Sequence, residues 1–127
     1  MTDTKRTALV GLHEELYRTP TEIGLSIEGY ISEMVATYEE MRERASSKLY
    51  DLYLMDANLG TPGSLDVRPA IGIYSIVKER IERGDARFVA LSSRDGTIKS
   101  ARENGVPADD KGTFDLREFL KKEIRTS

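Results

Sequence analysis

At 127 residues the chain has room for one ordinary domain and can bury a core without a disulfide or metal staple. It contains no cysteine, which excludes disulfides, thiolate catalysis and thiolate metal sites together, and no apolar run approaches a membrane span or a secretory leader. A formal charge of −3 sets it apart from electrostatic nucleic-acid binders; the expectation is a cytoplasmic protein with neither nucleic acid nor membrane as partner.

In chain order, residues 7–10 (TALV) form a compact apolar run that predicts a first strand. Residues 11–18 read as a loop with the single histidine, His13, as an ordinary loop residue, followed by two acids, Glu14 and Glu15. Thr19-Pro20-Thr21-Glu22 predicts a helix start: a capping threonine, a proline suited to the first helical position, and an acid at the positive end of the dipole. Ile23 and Ile27 would share one face of that helix, and Gly24 and Gly29 weaken it. Residues 31–36 alternate as a second strand. Thr37-Tyr38-Glu39-Glu40 is a capping box opening a second helix with Tyr38, Met41 and Ala45 inward.

Residues 50–55 (YDLYLM) become apolar on both faces after Asp51, as a central strand of a parallel sheet must, and the run stops at Asp56. Residues 58–69 are rich in glycine and proline and predict a long loop. Residues 70–83 carry Ile71, Tyr74, Val77 and Ile81 at helical spacing. A turn at Gly84-Asp85 leads to a buried strand at 88–91 (FVAL), then to a short helix over 95–104 closed by Gly105. Residues 106–110 predict a weak edge strand, because Pro107 lacks a donor. Residues 115–125 close as a helix with Leu116, Phe119, Leu120 and Ile124 on one side. Five repeats of strand and helix predict an α/β fold, a five-stranded parallel sheet doubly wound by helices in one domain over 1–127.

In such sheets ligands bind beyond the carboxyl ends of the strands. The residues there are His13, Glu14 and Glu15 after the first strand, Asp56 and Asn58 after the third, Ser92 and Ser93 after the fourth, and Asp110 and Lys111 after the fifth. A carboxylate can attack a phosphoryl group to form an acyl phosphate. An ammonium or Mg²⁺ can hold the charge on the equatorial oxygens, and a hydroxyl can donate to them. No P-loop or GxGxxG fingerprint occurs, so nucleotides and dinucleotides have no support.

YDLYLMDANLG resembles the third strand of response-regulator receiver domains of two-component signalling, FVALSS their fourth strand, and DDKGTFDLREFL the segment carrying their lysine. The resemblance implies a flavodoxin/CheY-like (βα)5 fold in which Asp56 is the phosphoacceptor and Ser92 and Lys111 contact the phosphoryl group. It implies Mg²⁺ held by Asp56, the carbonyl of Asn58 and the acids Glu14 and Glu15. The partners would be a sensor histidine kinase or phosphotransfer protein in a phosphorelay, and a downstream protein effector. The module would be a monomer or weak homodimer with no turnover beyond self-phosphotransfer and autodephosphorylation.

Several positions depart from the pattern. Leu12 and His13 stand where the family has an acidic pair, with Glu14 and Glu15 one or two places late. Ala108 replaces the switch aromatic, Gly112 replaces a proline, and the loop after Asp56 is longer than usual. These favour an alternative, a non-phosphorylated pseudo-receiver that serves as a protein-interaction module. A third reading, an aspartate-dependent phosphohydrolase of the haloacid-dehalogenase type, has only the Asp56-x-Asn58 spacing behind it.

Overall fold

The computed structural model describes residues 6–60 and 66–121. Strands and helices alternate as β1(Arg6–Gly11), α1(Glu15–Ile27), β2(Tyr30–Val35), α2(Tyr38–Ser47), β3(Leu52–Asp56), α3(Arg68–Glu82), β4(Arg87–Ser92), α4(Asp95–Glu103), β5(Ala108–Asp110) and α5(Leu116–Lys121). The five strands form one parallel sheet in the order β2-β1-β3-β4-β5. The order turns back between β1 and β3, which places a ligand crevice at their carboxyl ends. Among the described residues no helix is long and apolar enough to cross a membrane.

Side chains alternate across a strand, so each strand feeds two cores. Tyr53 and Met55 of β3 join Leu9, Met41, Ala45, Ile73 and Phe88 beneath α2 and α3. Leu52 and Leu54 point the other way and meet Val10, Leu12, Leu25 and Val89, with Leu116, Phe119 and Leu120 of α5 packed against them. All five residues of β3 are buried, Asp56 included. At the end of β1, Gly11 allows a close approach: a Cβ there would run into the Sδ of Met41 and the Cδ2 of Leu59. Both neighbours are fully buried, and Leu59 belongs to the turn that follows Asp56.

Local signals explain two of the boundaries. Thr37 caps α2 by accepting from the Glu40 N–H at 3.2 Å while its hydroxyl donates to the Glu40 carboxylate at 3.1 Å. At the end of α4, Gly105 takes φ 79°. Its N–H donates to the Arg102 carbonyl at 2.9 Å, and the Val106 N–H donates to that of Ala101 at 3.0 Å. This is a Schellman closure, sealed by Val106 in the core beside Ala101.

Four expectations are corrected. Helix α1 starts at Glu15, so Pro20 lies inside the helix rather than at its first turn. The start is set by Glu14, whose extended backbone (φ −103°, ψ 120°) turns its carbonyl to the N–H groups of Tyr17 and Arg18. The Ile23 and Ile27 face is exposed, and the buried position of α1 is Leu25. Gly24 sits close to Leu116 of α5, and a helix that turns Leu25 and Gly24 inward must turn Ile23 and Ile27 out. Helix α3 begins at Arg68 with Pro69 in its first turn, so that proline starts the helix instead of ending the loop. Strand β5 is limited to three residues at the sheet edge. Residues 61–65, within the long loop, and Ile124, with the end of the last helix, lie outside the described residues.

Candidate functional site

Strand register brings the chemistry together. Gly11 pairs with Met55, Asp56 with Leu91, and Ser92 with Asp110. Leu12 and His13 therefore leave β1 beside Asp56, while Ser92 and Lys111 sit at the same carboxyl edge. The Lys111 N–H donates to the Ser92 carbonyl at 2.8 Å, which fixes the start of the β5–α5 segment against β4.

Asp56 is 1% exposed, and a carboxylate so far from water keeps its charge only when its oxygens are paired. Both are. The Lys111 Nζ donates to Oδ1 at 2.6 Å, and the His13 backbone N–H donates to Oδ2 at 3.0 Å. The His13 imidazole lies over the same oxygen, with Nδ1 at 3.3 Å from Oδ2. That contact is not aligned as a hydrogen bond, so Nδ1 is buried without a hydrogen-bond partner. Lys111 is itself enclosed: its Nζ stands 4.1 Å from the centroid of the Tyr17 ring and 3.6 Å from the Glu14 carboxylate. A cation over an aromatic face gains from the ring quadrupole, more so when partly desolvated.

A cavity of about 160 Å³ opens over these groups, lined among others by His13, Asp56, Asn58, Ser92, Arg94 and Lys111. Ser92 is buried at its floor, and its Oγ accepts from the Arg94 N–H at 3.1 Å. Neither Ser92, Ser93 nor Asp95 caps α4, which begins after Arg94 with no side-chain cap.

The expected residues thus divide. Asp56, Ser92, Lys111 and Asn58 meet in one cavity. Glu14 reaches only its rim, paired with Lys111 and with its side chain 55% exposed. Glu15 is exposed at the first position of α1. His13 is the residue that sequence reasoning passed over. Its position directly after β1, level with Asp56, was the available signal. Tyr17 carries no such signal in the sequence, because residues 11–18 read as a loop whereas α1 turns Tyr17 towards Lys111.

Mg²⁺ is held by several oxygen ligands, usually with one or two carboxylates among them. Here the oxygens of Asp56 carry Lys111 and His13, and Glu14 carries Lys111. Among the described residues no group of three or more acidic, histidine or cysteine side chains is arranged to hold an ion. The residues present do not fit the Mg²⁺ expected of Asp56, Asn58, Glu14 and Glu15.

No protein-family model matches the sequence, and no curated protein matches it. Solved structures do. A response regulator from Burkholderia pseudomallei, solved with a phosphorylated aspartic acid, calcium ion and citrate, aligns with a TM-score of 0.69 at 18% identity, covering 95% of this chain and 67% of that one. A CheY-like receiver domain from Methanospirillum hungatei aligns with a TM-score of 0.69 at 18% identity, covering 93% and 90%. The fold is that of a response-regulator receiver domain. The receiver domain of a sensor histidine kinase from Pseudomonas aeruginosa, with magnesium in its active-site cleft, aligns at 0.64 and 21% identity over 93% of each chain. The receiver fold accounts for the sheet order and for a crevice at the carboxyl edge, whereas the resident side chains there are this chain's own.

Proposed function

We propose that this chain is a receiver module whose Asp56 accepts a phosphoryl group from a phosphohistidine on a sensor kinase or phosphotransfer protein. The observation that carries it is the Asp56–Lys111 pair at 2.6 Å, with Ser92 beside it in a cavity open to a donor. In the step, an Asp56 carboxylate oxygen forms the new O–P bond as the N–P bond to the donor imidazole breaks. The imidazole nitrogen keeps the electron pair and takes up a proton. Lys111 exchanges its carboxylate contact for the equatorial oxygens, where charge is held through transfer, and the Ser92 hydroxyl can donate to the same group. No Mg²⁺ enters the step, because the donor set around Asp56 does not fit one. The acyl phosphate would bias a pre-existing conformational equilibrium, read by a downstream protein.

The test is incubation with a small phosphoramidate donor followed by intact-mass measurement. A stoichiometric phosphoryl adduct on the wild type, absent from Asp56→Asn and much reduced in Lys111→Met, is the expected result. An adduct that survives in Asp56→Asn refutes it.

The capping of both Asp56 oxygens favours one other reading, a pseudo-receiver that binds partners without phosphoryl transfer. No adduct on the wild type, with partner binding unchanged by Asp56→Asn, is its signature.

A further inference from the structure

We propose that His13 takes the place of a divalent cation in this site, its backbone N–H and imidazole together covering the Asp56 oxygen that a metal would bind, so that the module works without Mg²⁺. The inference rests on the receiver reading of the site, but not on whether Asp56 is phosphorylated.

Two observations carry it. The first is occupancy. The N–H of His13 is 3.0 Å from Oδ2, and its Nδ1 is 3.3 Å from the same atom. An ion at Oδ2 would have to displace a ring that is only 17% exposed. Leu12, the preceding residue, offers no ligand, since its side chain is buried in the core shared with α1 and α5. The second is charge. The ionised side chains lining the cavity are Asp56 and Glu14 against Lys111 and Arg94. They balance without any added ion, so a dication would enter a site with no surplus negative charge to compensate it. Metal affinity in oxygen sites rises with the charge count of the ligands. Two carboxylates already paired with one lysine are a poor set.

Replacing His13 by a carboxylate should reverse both conditions. It removes the ring from Oδ2, leaving only the backbone N–H there, and adds a second carboxylate beside Asp56, so that the ionised lining of the cavity carries a net negative charge. The experiment is an MgCl₂ titration of the full chain watched by amide NMR, with thermal melts at matched ionic strength. Wild type should show no saturable shifts around Asp56, Ser92 and Lys111 through the millimolar range, and a Tm that does not respond to Mg²⁺. His13→Asp should gain saturable binding, tighter than wild type by on the order of tenfold or more, and His13→Asp/Asp56→Asn should lose it.

Saturable wild-type binding that Asp56→Asn removes would overturn the inference. So would a His13→Asp protein with a dispersed, folded spectrum that binds no better than wild type. If His13→Asp does not fold, the wild-type titration and melt still decide, because an ion bound only to the native state must raise Tm. A missing phosphoryl adduct would end the preceding reading without changing either titration, and Mg²⁺ binding by the wild type would overturn only its metal-free step, not phosphoryl transfer to Asp56.

Discussion

Asp56 and Lys111 show how a charge survives where water does not. Their side chains are 2% and 9% exposed, so each depends chiefly on the other to offset the loss of water. Lys111→Met should therefore destabilise the fold by about 3 kcal/mol, as removal of one partner from a buried pair does. Chemical denaturation would measure this, and Lys111→Met/Asp56→Asn should recover part of the loss, because the amide no longer needs a cation. A second charged cluster lies away from the site. Glu33 of β2 meets Lys48, accepts from Arg44 at 3.2 Å and from the Tyr50 hydroxyl at 2.7 Å. These contacts, the one with Lys48 foremost, hold the Glu33 carboxyl below its ordinary 4.5. A depressed native pKa means that the unfolded chain takes up its proton first as the pH drops. The stabilisation is thus complete above pH 4.5 and is lost as pH falls from there through the native value. Glu33→Gln should flatten the acid limb of a stability–pH curve measured by urea midpoints, and an unchanged limb would refute the assignment.

At the scale of elements, caps and turns were the legible part. The capping box at Thr37 and the glycine closure at Gly105 both stand as expected, because each depends on residues adjacent in sequence. Thr37→Ala should cost about 1 kcal/mol, the usual loss when a capping side chain is removed. Helix α1 was misread because its start depends on where β1 ends in the sheet, a non-local fact. Pro20 supplies no N–H to the Leu16 carbonyl, and that turn lies at the surface, with Leu16 75% exposed, so water can serve the carbonyl instead. Pro20→Ala should then stabilise the protein by about 1–2 kcal/mol, the helical penalty of proline less the freedom regained by the unfolded chain. A lower melting temperature would show that the proline has a tertiary role.

For the molecule as a whole, the alternation of apolar runs with helical stripes specified a parallel doubly wound sheet, and the sheet is present with the order β2-β1-β3-β4-β5. That Asp56, Ser92 and Lys111 meet at one edge was legible, because strand ends converge in any such sheet. The chemistry contributed by the first loop was not. Whether Glu14, Glu15 or His13 faces Asp56 depends on how the backbone leaves β1, and spacing alone does not encode a single turn of that kind. The close packing at Gly11 illustrates the same dependence. It brings Met41 of α2 and Leu59 of the turn after Asp56 onto one backbone atom, so Gly11→Ala should cost about 1–3 kcal/mol through overpacking.

The pairing of Asp56 with Lys111 spans 55 residues, and that separation has a kinetic consequence. Every strand contact in this sheet is parallel and joins distant parts of the chain, so none can form as a local hairpin, and such topologies fold slowly. The centre of the sheet, β1 against β3, can assemble as soon as residue 56 is available. Its buried carboxylate then waits for a cation that docks only when β5 has found the edge of β4. Until that moment Asp56 lacks the lysine that pairs with it in the complete fold. Stopped-flow refolding should place Lys111 late, with Lys111→Met accelerating unfolding far more than it slows folding.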